Sequence, residues 1–248
     1  MKFTASSAPL DGDPDGILLV DKPAGMTSSD VVVSVRRLFG LKKTGHGGTL
    51  DPGATGLLIL LIGKGTRCQD RIMGGNKTYT GTLRLGVTTS THDWEGEPIA
   101  TGDPSEITRY TLEETIRQDF TGDVLQTPPM VSAIKVNGRR LYKMARQGEE
   151  VERQPRLIHL WKFSIDSFDN PDAAFTVRCS KGTYIRTLCH DLGQAVGCGA
   201  HMTSLRRTAC GPFRIEDAIP FETLKTMPRD EVFARLLPLS LAEHGPTL

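Results

Sequence analysis

The sequence predicts an α+β fold built on a largely antiparallel sheet. Strand, helix and hairpin signals alternate along it without the regular βαβ period that a parallel sheet requires. Period-two alternation recurs in segments such as Lys77–Leu85 (KTYTGTLRL), and Met130–Val136 alternates and runs into Asn137-Gly138, a strong hairpin-turn signal.

Taken in order, residues 1–15 are rich in Ser, Pro, Asp and Gly and read as a flexible tail, with one domain expected over 16–248. Gly16–Val20 (GILLV) reads as the first buried strand. After the turn Asp21–Gly25, Ser28 or Ser29 is placed to cap a helix whose apolar stripe is Val31, Val32, Val35 and Leu38, ending near Gly40. A glycine-dense loop, Thr44–Gly56, then enters the continuous apolar run Leu57–Ile62, which reads as a strand. Arg139–Gln147 has helical character, strands are expected at Leu157–Phe168 and Ala174–Ser180, and a helix from about Tyr184 to Val196.

Composition narrows the class. Hydrophobic content of 38% with 24% charged residues is that of an ordinary globular protein, and no stretch reaches the length of apolar residues that a membrane span or a signal peptide needs. A cytoplasmic enzyme with no membrane contact is the expectation. Five cysteines, with no C-x-x-C pair, suggest reduced thiols rather than disulfides or a zinc ribbon. Cys198, His201, His190 and Cys210 lie near one another in sequence, but their spacing matches no zinc template. The net charge of +1 conceals segregation: residues 31–84 carry nine Lys or Arg against two Asp, residues 85–124 nine Asp or Glu against two Arg, and residues 125–156 seven Lys or Arg against three Glu. Basic stretches around an acidic one can present a cationic face to nucleic acid.

Asp51 stands out for chemistry. In Gly45–Gly56 (GHGGTLDPGATG), Pro52 disfavours helical geometry at Asp51, and the glycines let the backbone turn sharply around one carboxylate. Read alone, Asp-Pro-Gly is first of all a turn that caps its own backbone. The nearby Gly63-Lys64-Gly65-Thr66 fails as a phosphate loop, because Lys64 is followed by Gly and the required upstream glycine is Leu58. No G-x-S-x-G supports a serine triad from His190, Asp191 and Ser204. In Ser180–Gly193, Tyr184 and Arg186 lie two apart, so an extended backbone would turn both to one face, where Arg186 could hold a carboxylate. Tyr79 is a strand tyrosine suited either to stacking on a base or to the core.

These segments together resemble the TruB family of tRNA pseudouridine synthases, in order over roughly residues 16–215. The resemblance is carried by Gly16–Thr27 (GILLVDKPAGMT), Gly45–Gly56, Lys77–Tyr79 (KTY), Gln126–Lys135 (QTPPMVSAIK), Gly138–Arg146 (GRRLYKMAR), Gly182–Leu192 (GTYIRTLCHDL) and His201–Arg207 (HMTSLRR). It implies the pseudouridine synthase fold, a central mixed, mostly antiparallel sheet flanked by helices, with no cofactor and no metal. It further implies action on uridine 55 in the T arm of tRNA; a monomer without an obligate protein partner is expected because nothing in the sequence resembles a coiled coil or a long apolar interface helix. Carried over residue by residue, Asp51 is the catalytic aspartate, Tyr79 the stacking tyrosine and candidate base, and Arg186 the partner of the aspartate. Tyr184, Leu205 and Lys22 are expected at the substrate, and His46 matches a stacking histidine. The resemblance leaves attack at C1′, attack at C6 and a glycal route open. Two rivals accompany it: a guide-RNA-dependent pseudouridine synthase, and a non-catalytic chaperone of tRNA folding.

Two departures from the family pattern carry expectations of their own. Gly47 stands where the family often has threonine, which predicts a looser loop. The PUA-type C-terminal lobe common in the family is expected to be absent or vestigial here, leaving phosphate binding to Arg36, Lys42, Lys43, Arg139, Arg140 and Lys143.

Overall fold

A computed structural model describes residues 14–132, 135–136, 138–141, 144, 147–149 and 151–242. In chain order its strands are β1 (Gly16–Lys22), β2 (Thr44–His46), β3 (Thr55–Ile62), β4 (Lys77–Leu85), β5 (Val87–Thr89), β6 (Pro98–Thr101) and β7 (Gly122–Gln126). They continue as β8 (Lys135–Val136), β9 (Arg139–Arg140), β10 (Arg156–Asp169), β11 (Asp172–Cys179), β12 (Ala200–Cys210), β13 (Phe213–Arg214) and β14 (Ile219–Pro220). The helices are α1 (Ser28–Leu38), α2 (Gln69–Gly74), α3 (Arg109–Asp119), α4 (Ile185–Ala195), α5 (Phe221–Leu224) and α6 (Arg229–Ala234). This is the α+β arrangement expected, with antiparallel and parallel pairs mixed. No helix among the described residues is long and apolar enough to cross a membrane.

The chain folds as two compact units, one from residues up to Lys77 together with those from Arg206 onward, the other from Thr78 to Leu205. In the first unit β3 is central. It pairs antiparallel with β1 over the full length of β1 and parallel with the end of β12 at Arg206 and Arg207. Leu57 to Ile62 all have zero exposure, which explains their unbroken apolar run: a strand covered on both faces has no polar side to alternate with. Helix α1 presents Val31 and Val35 inward, while Leu38 is exposed. Its cap is Thr27, one residue before the expected serines. Thr27 Oγ1 accepts from Asp30 N and the Asp30 carboxylate accepts from Thr27 N, a reciprocal capping box. Ser28 has another task. Its buried hydroxyl donates to the Leu50 carbonyl and accepts from Leu50 N, tying the helix start to the Asp51 loop.

In the second unit β7, β10 and β11 form an antiparallel set, with β4 beside β11 and the first part of β12 beside β4. Helix α3 is capped by Thr108, whose hydroxyl accepts from Thr111 N, and buries Leu112 and Ile116. Strand β4 occupies the predicted Lys77–Leu85. The strand expected over Met130–Val136 is reduced, among described residues, to Lys135–Val136, paired with Arg139–Arg140 where helix had been expected. Leu141 and Met144 are helical; the rest of 142–146 lies outside the described residues.

Candidate active site

The Asp51 loop connects β2 to β3, and its main chain is gripped from both sides by buried cations. Arg207 is 1% exposed. Its Nε donates to the Leu57 carbonyl at 2.8 Å, Nη2 to the Gly48 carbonyl at 3.2 Å and Nη1 to the Thr49 carbonyl at 3.4 Å. Lys22 has no exposed surface, and its Nζ donates to the carbonyls of Pro52 (3.1 Å), Met26 (2.6 Å) and Pro23 (2.8 Å). Gly25 N adds a further bond to the Pro52 carbonyl at 2.9 Å, and Ala54 N closes the turn onto the Asp51 carbonyl. Asp51 itself is half-buried. Burial lowers the Lys22 pKa to about 8, with the charge of Asp51 acting in the opposite direction and that of Arg207 reinforcing the decrease. Lys22 was expected at the substrate; in the structure its ammonium donates to three main-chain acceptors.

Two glycines are dictated by this packing. Gly56 has a φ of +99°, and a Cβ there would stand 2.4 Å from the Arg207 carbonyl oxygen. Gly47 is buried and donates to the Ile59 carbonyl at 2.8 Å; its Cβ would come within 2.4 Å of Ile72 Cγ2. The looser loop expected from Gly47 is therefore corrected. Ile72 occupies the space that a larger residue would need. His46, half-buried on β2, accepts a 3.4 Å hydrogen bond from Gly48 N through Nδ1, and burial, aided by the Arg207 charge, holds its pKa below the usual value. The ring is thus neutral at pH 7.

The second unit positions the remaining candidates. Tyr79 on β4 and Leu205 on β12 are each 9% exposed. Tyr184 is the N-cap residue of α4, its backbone N–H donating to Gln126 Oε1 (2.8 Å) and its carbonyl accepting from Gln126 Nε2 (3.0 Å). Arg186 already lies in the helix, so the expected extended Tyr184–Arg186 pair gives way at Ile185. Arg186 is 6% exposed; Nη1 donates to Asp93 Oδ2 at 3.3 Å and Nη2 to the Val131 carbonyl at 2.6 Å. Sequence reasoning missed Asp93. It is 4% exposed, its Oδ1 accepts from Thr91 Oγ1 (2.5 Å) and Glu95 N (3.1 Å), and Thr89 Oγ1 bonds its carbonyl at 2.7 Å. In sequence it is one acid among many in the 85–124 stretch, and its basic partner lies 93 residues away.

Other candidates disperse. His201 Nδ1 meets the Val87 carbonyl, His190 stacks on His92, and no group of three or more metal-binding side chains forms among the described residues. Arg36, Lys42 and Lys43 are exposed, whereas Arg139 is engaged by both oxygens of Glu149 at 3.0 and 2.9 Å. Lys143 and the Arg140 side chain lie outside the described residues.

Comparison with known proteins adds lineage to this geometry. Residues 36–185 match the model of the TruB family pseudouridylate synthase N-terminal domain, and residues 186–241 that of the tRNA pseudouridylate synthase B C-terminal domain. A tRNA pseudouridine synthase B of Opitutus terrae is 48% identical over 225 residues, 91% of this chain and 93% of the relative. One from Syntrophotalea carbinolica is 48% identical over 230 residues, 92% of this chain and 74% of the relative. Among solved structures, a chain of a Cbf5-Nop10-Gar1 complex aligns with a TM-score of 0.70 and 29% identity, covering 92% of this chain. This chain spans 61% of the length of that one.

Proposed function

Because the chain belongs to the TruB family of tRNA pseudouridine synthases, enzymes of the isomerase class, we propose that it converts uridine 55 in the T loop of tRNA to pseudouridine with Asp51 as nucleophile. The observation that carries the reading is the hold on the Asp51 loop. Carbonyls at Gly48, Thr49 and Pro52 are fixed by Arg207 and Lys22, so the chain around the carboxylate keeps one course before substrate arrives. Preorganisation of this kind is what covalent catalysis asks of a nucleophile.

A uracil stacked in RNA hides its glycosidic bond, so the nucleotide must first be flipped out. Tyr79 supplies the aromatic face, Tyr184 and Leu205 line the base pocket, His46 stacks beside the rearranged loop, and Arg186 is the cation of the set. Isomerisation breaks N1–C1′ and joins C5–C1′, with a proton lost from C5 and one gained at N1. Asp51 attacks C1′ or C6, or stabilises a glycal route in which Tyr79 takes the C2′ proton. The exposed Arg36, Lys42 and Lys43 meet phosphate, and the reaction takes place in the cytoplasm.

The test is pseudouridine formation by the purified protein on unmodified tRNA, with the position mapped, beside Asp51→Asn. Modification confined to the T loop and reduced at least about a thousandfold by Asp51→Asn is the expected outcome. A second reading is dependence on a guide RNA; modification of a T-arm stem-loop by the protein alone would exclude it. A folded protein that binds tRNA without modifying it would instead point to a chaperone.

A further inference from the structure

Next to the Arg186–Asp93 pair stands a second contact between the same two elements. His190 follows Arg186 by four residues on α4, one helical turn, and so shares its face. His92 immediately precedes Asp93. The two imidazoles are stacked, with ring centres 3.8 Å apart and planes 5° from parallel. We propose that His92 and His190 are positioning residues whose ring stack holds the Asp93 carboxylate in register with Arg186 for pseudouridine formation. The inference rests on the reading of Arg186 as a residue that serves the reaction.

Three observations support it. Asp93 Oδ1 is held within its own turn by Thr91 Oγ1 and Glu95 N while Oδ2 meets Arg186 Nη1 at 3.3 Å, so what places the carboxylate against Arg186 is the seating of that turn on α4. The ring stack is a second contact between that turn and α4, one helical turn from the first. Next, His92 is the one non-glycine among the described residues with left-handed φ, +66°, a conformation that persists only where surroundings impose it. Its carbonyl accepts from Met202 N at 3.0 Å, its N–H donates to the Thr89 carbonyl at 3.2 Å, and its ring meets His190. Finally, Nδ1 of both rings is buried with no hydrogen-bond partner, so the contact between the two side chains is face to face and not a hydrogen bond through these atoms. Two parallel imidazoliums would repel. Burial lowers both pKa values, that of His92 to about 3 with help from the charges of His190, Arg186 and Arg153, so the rings stay neutral.

Single-turnover and steady-state kinetics on unmodified tRNA, with thermal melting beside them, test the pair. His190→Ala is expected to lower kcat at least about tenfold with KM within about twofold, as misplacement of a catalytic group does. His190→Phe, which keeps a ring but no nitrogen, is expected to retain kcat within about threefold. His92→Asn, which tolerates the left-handed backbone, should match His190→Ala, and the double variant should be no worse than either, as one shared contact requires. The proposal is overturned if His190→Ala changes melting but not kcat, or if His190→Phe loses as much as His190→Ala. Arg186→Ala distinguishes the premise. If it is crippled while His190→Ala is unaffected, the pair alone is wrong; if Arg186→Ala keeps full kcat, the reading of Arg186 fails and the pair with it.

Discussion

The Asp51 loop and the Asp93 turn each present a carboxylate, and they are held by opposite means. Around Asp51, Arg207 and Lys22 donate to main-chain carbonyls at Gly48, Thr49, Leu57 and Pro52. Around Asp93 the side chain itself is what is held: Arg186, Thr91 and the Glu95 N–H on the carboxylate, with His190 on the neighbouring ring. A grip on carbonyls fixes the course of the chain whatever side chains the loop carries. A lattice of side chains depends on the identity of each member. Burying two cations is costly, and here six charge-assisted hydrogen bonds, rather than one salt bridge, offset part of that cost.

Removing the grip is the severest way to break this contrast. Arg207→Met leaves three carbonyls without this donor, those of Gly48 and Leu57 buried, and is expected to cost about 3 kcal/mol of stability, read as a shift in the urea midpoint, with kcat falling in the folded variant. Arg207→Lys, with one compact donor in place of a fork, should fall between. A loss below about 1 kcal/mol for Arg207→Met would mean the carbonyls find other partners and the grip is idle. Next in size, Gly47→Thr overpacks the same loop against Ile72 and is expected to cost about 2 kcal/mol. Combining it with Ile72→Ala should cost less than the sum of the two single changes, since the cavity made by one receives the side chain of the other.

The smallest effect concerns protons. The pKa of Lys22 is about 8 in the folded chain against an ordinary 10.5, so between these values the unfolded chain binds the extra proton. Through this group, stability therefore rises as pH increases from about 8 toward 10.5. Lys22→Met should abolish that rise; denaturation at pH 7 and pH 9.5, wild type against variant, measures it. An identical pH trend in both would show that Lys22 does not titrate in this range.

Local pattern explains what the sequence disclosed. The unbroken run Leu57–Ile62 announced a strand covered on both faces, and the alternation of Lys77–Leu85 gave β4 to the residue. Where two readings were locally equivalent, distance decided. Thr27 and Ser28 are both good caps, and Ser28 is withdrawn from capping because Leu50, twenty-two positions on, takes its hydroxyl. The long-range partners were beyond reach. An arginine in SLRR reads as a surface or phosphate-binding side chain, yet Arg207 is buried because carbonyls some 150 positions earlier in the chain face it. Nothing in the spacing of His92 and His190 hints that their rings stack, and Gly47 reads as freedom until Ile72 is seen beside it.

Strand β12 sets three neighbouring residues to different tasks. Leu205 is the expected pocket residue, Arg206 grips Asp21 through both carboxylate oxygens at 3.0 and 2.6 Å, and Arg207 supports the Asp51 loop. Side chains on a strand alternate, so these assignments hold only while the count is kept. One codon gained or lost between Leu205 and Arg207 would put the two on opposite faces, so that either Arg207 leaves the Asp51 loop or Leu205 turns outward. Natural variation in this segment should therefore take the form of replacements and never of gaps.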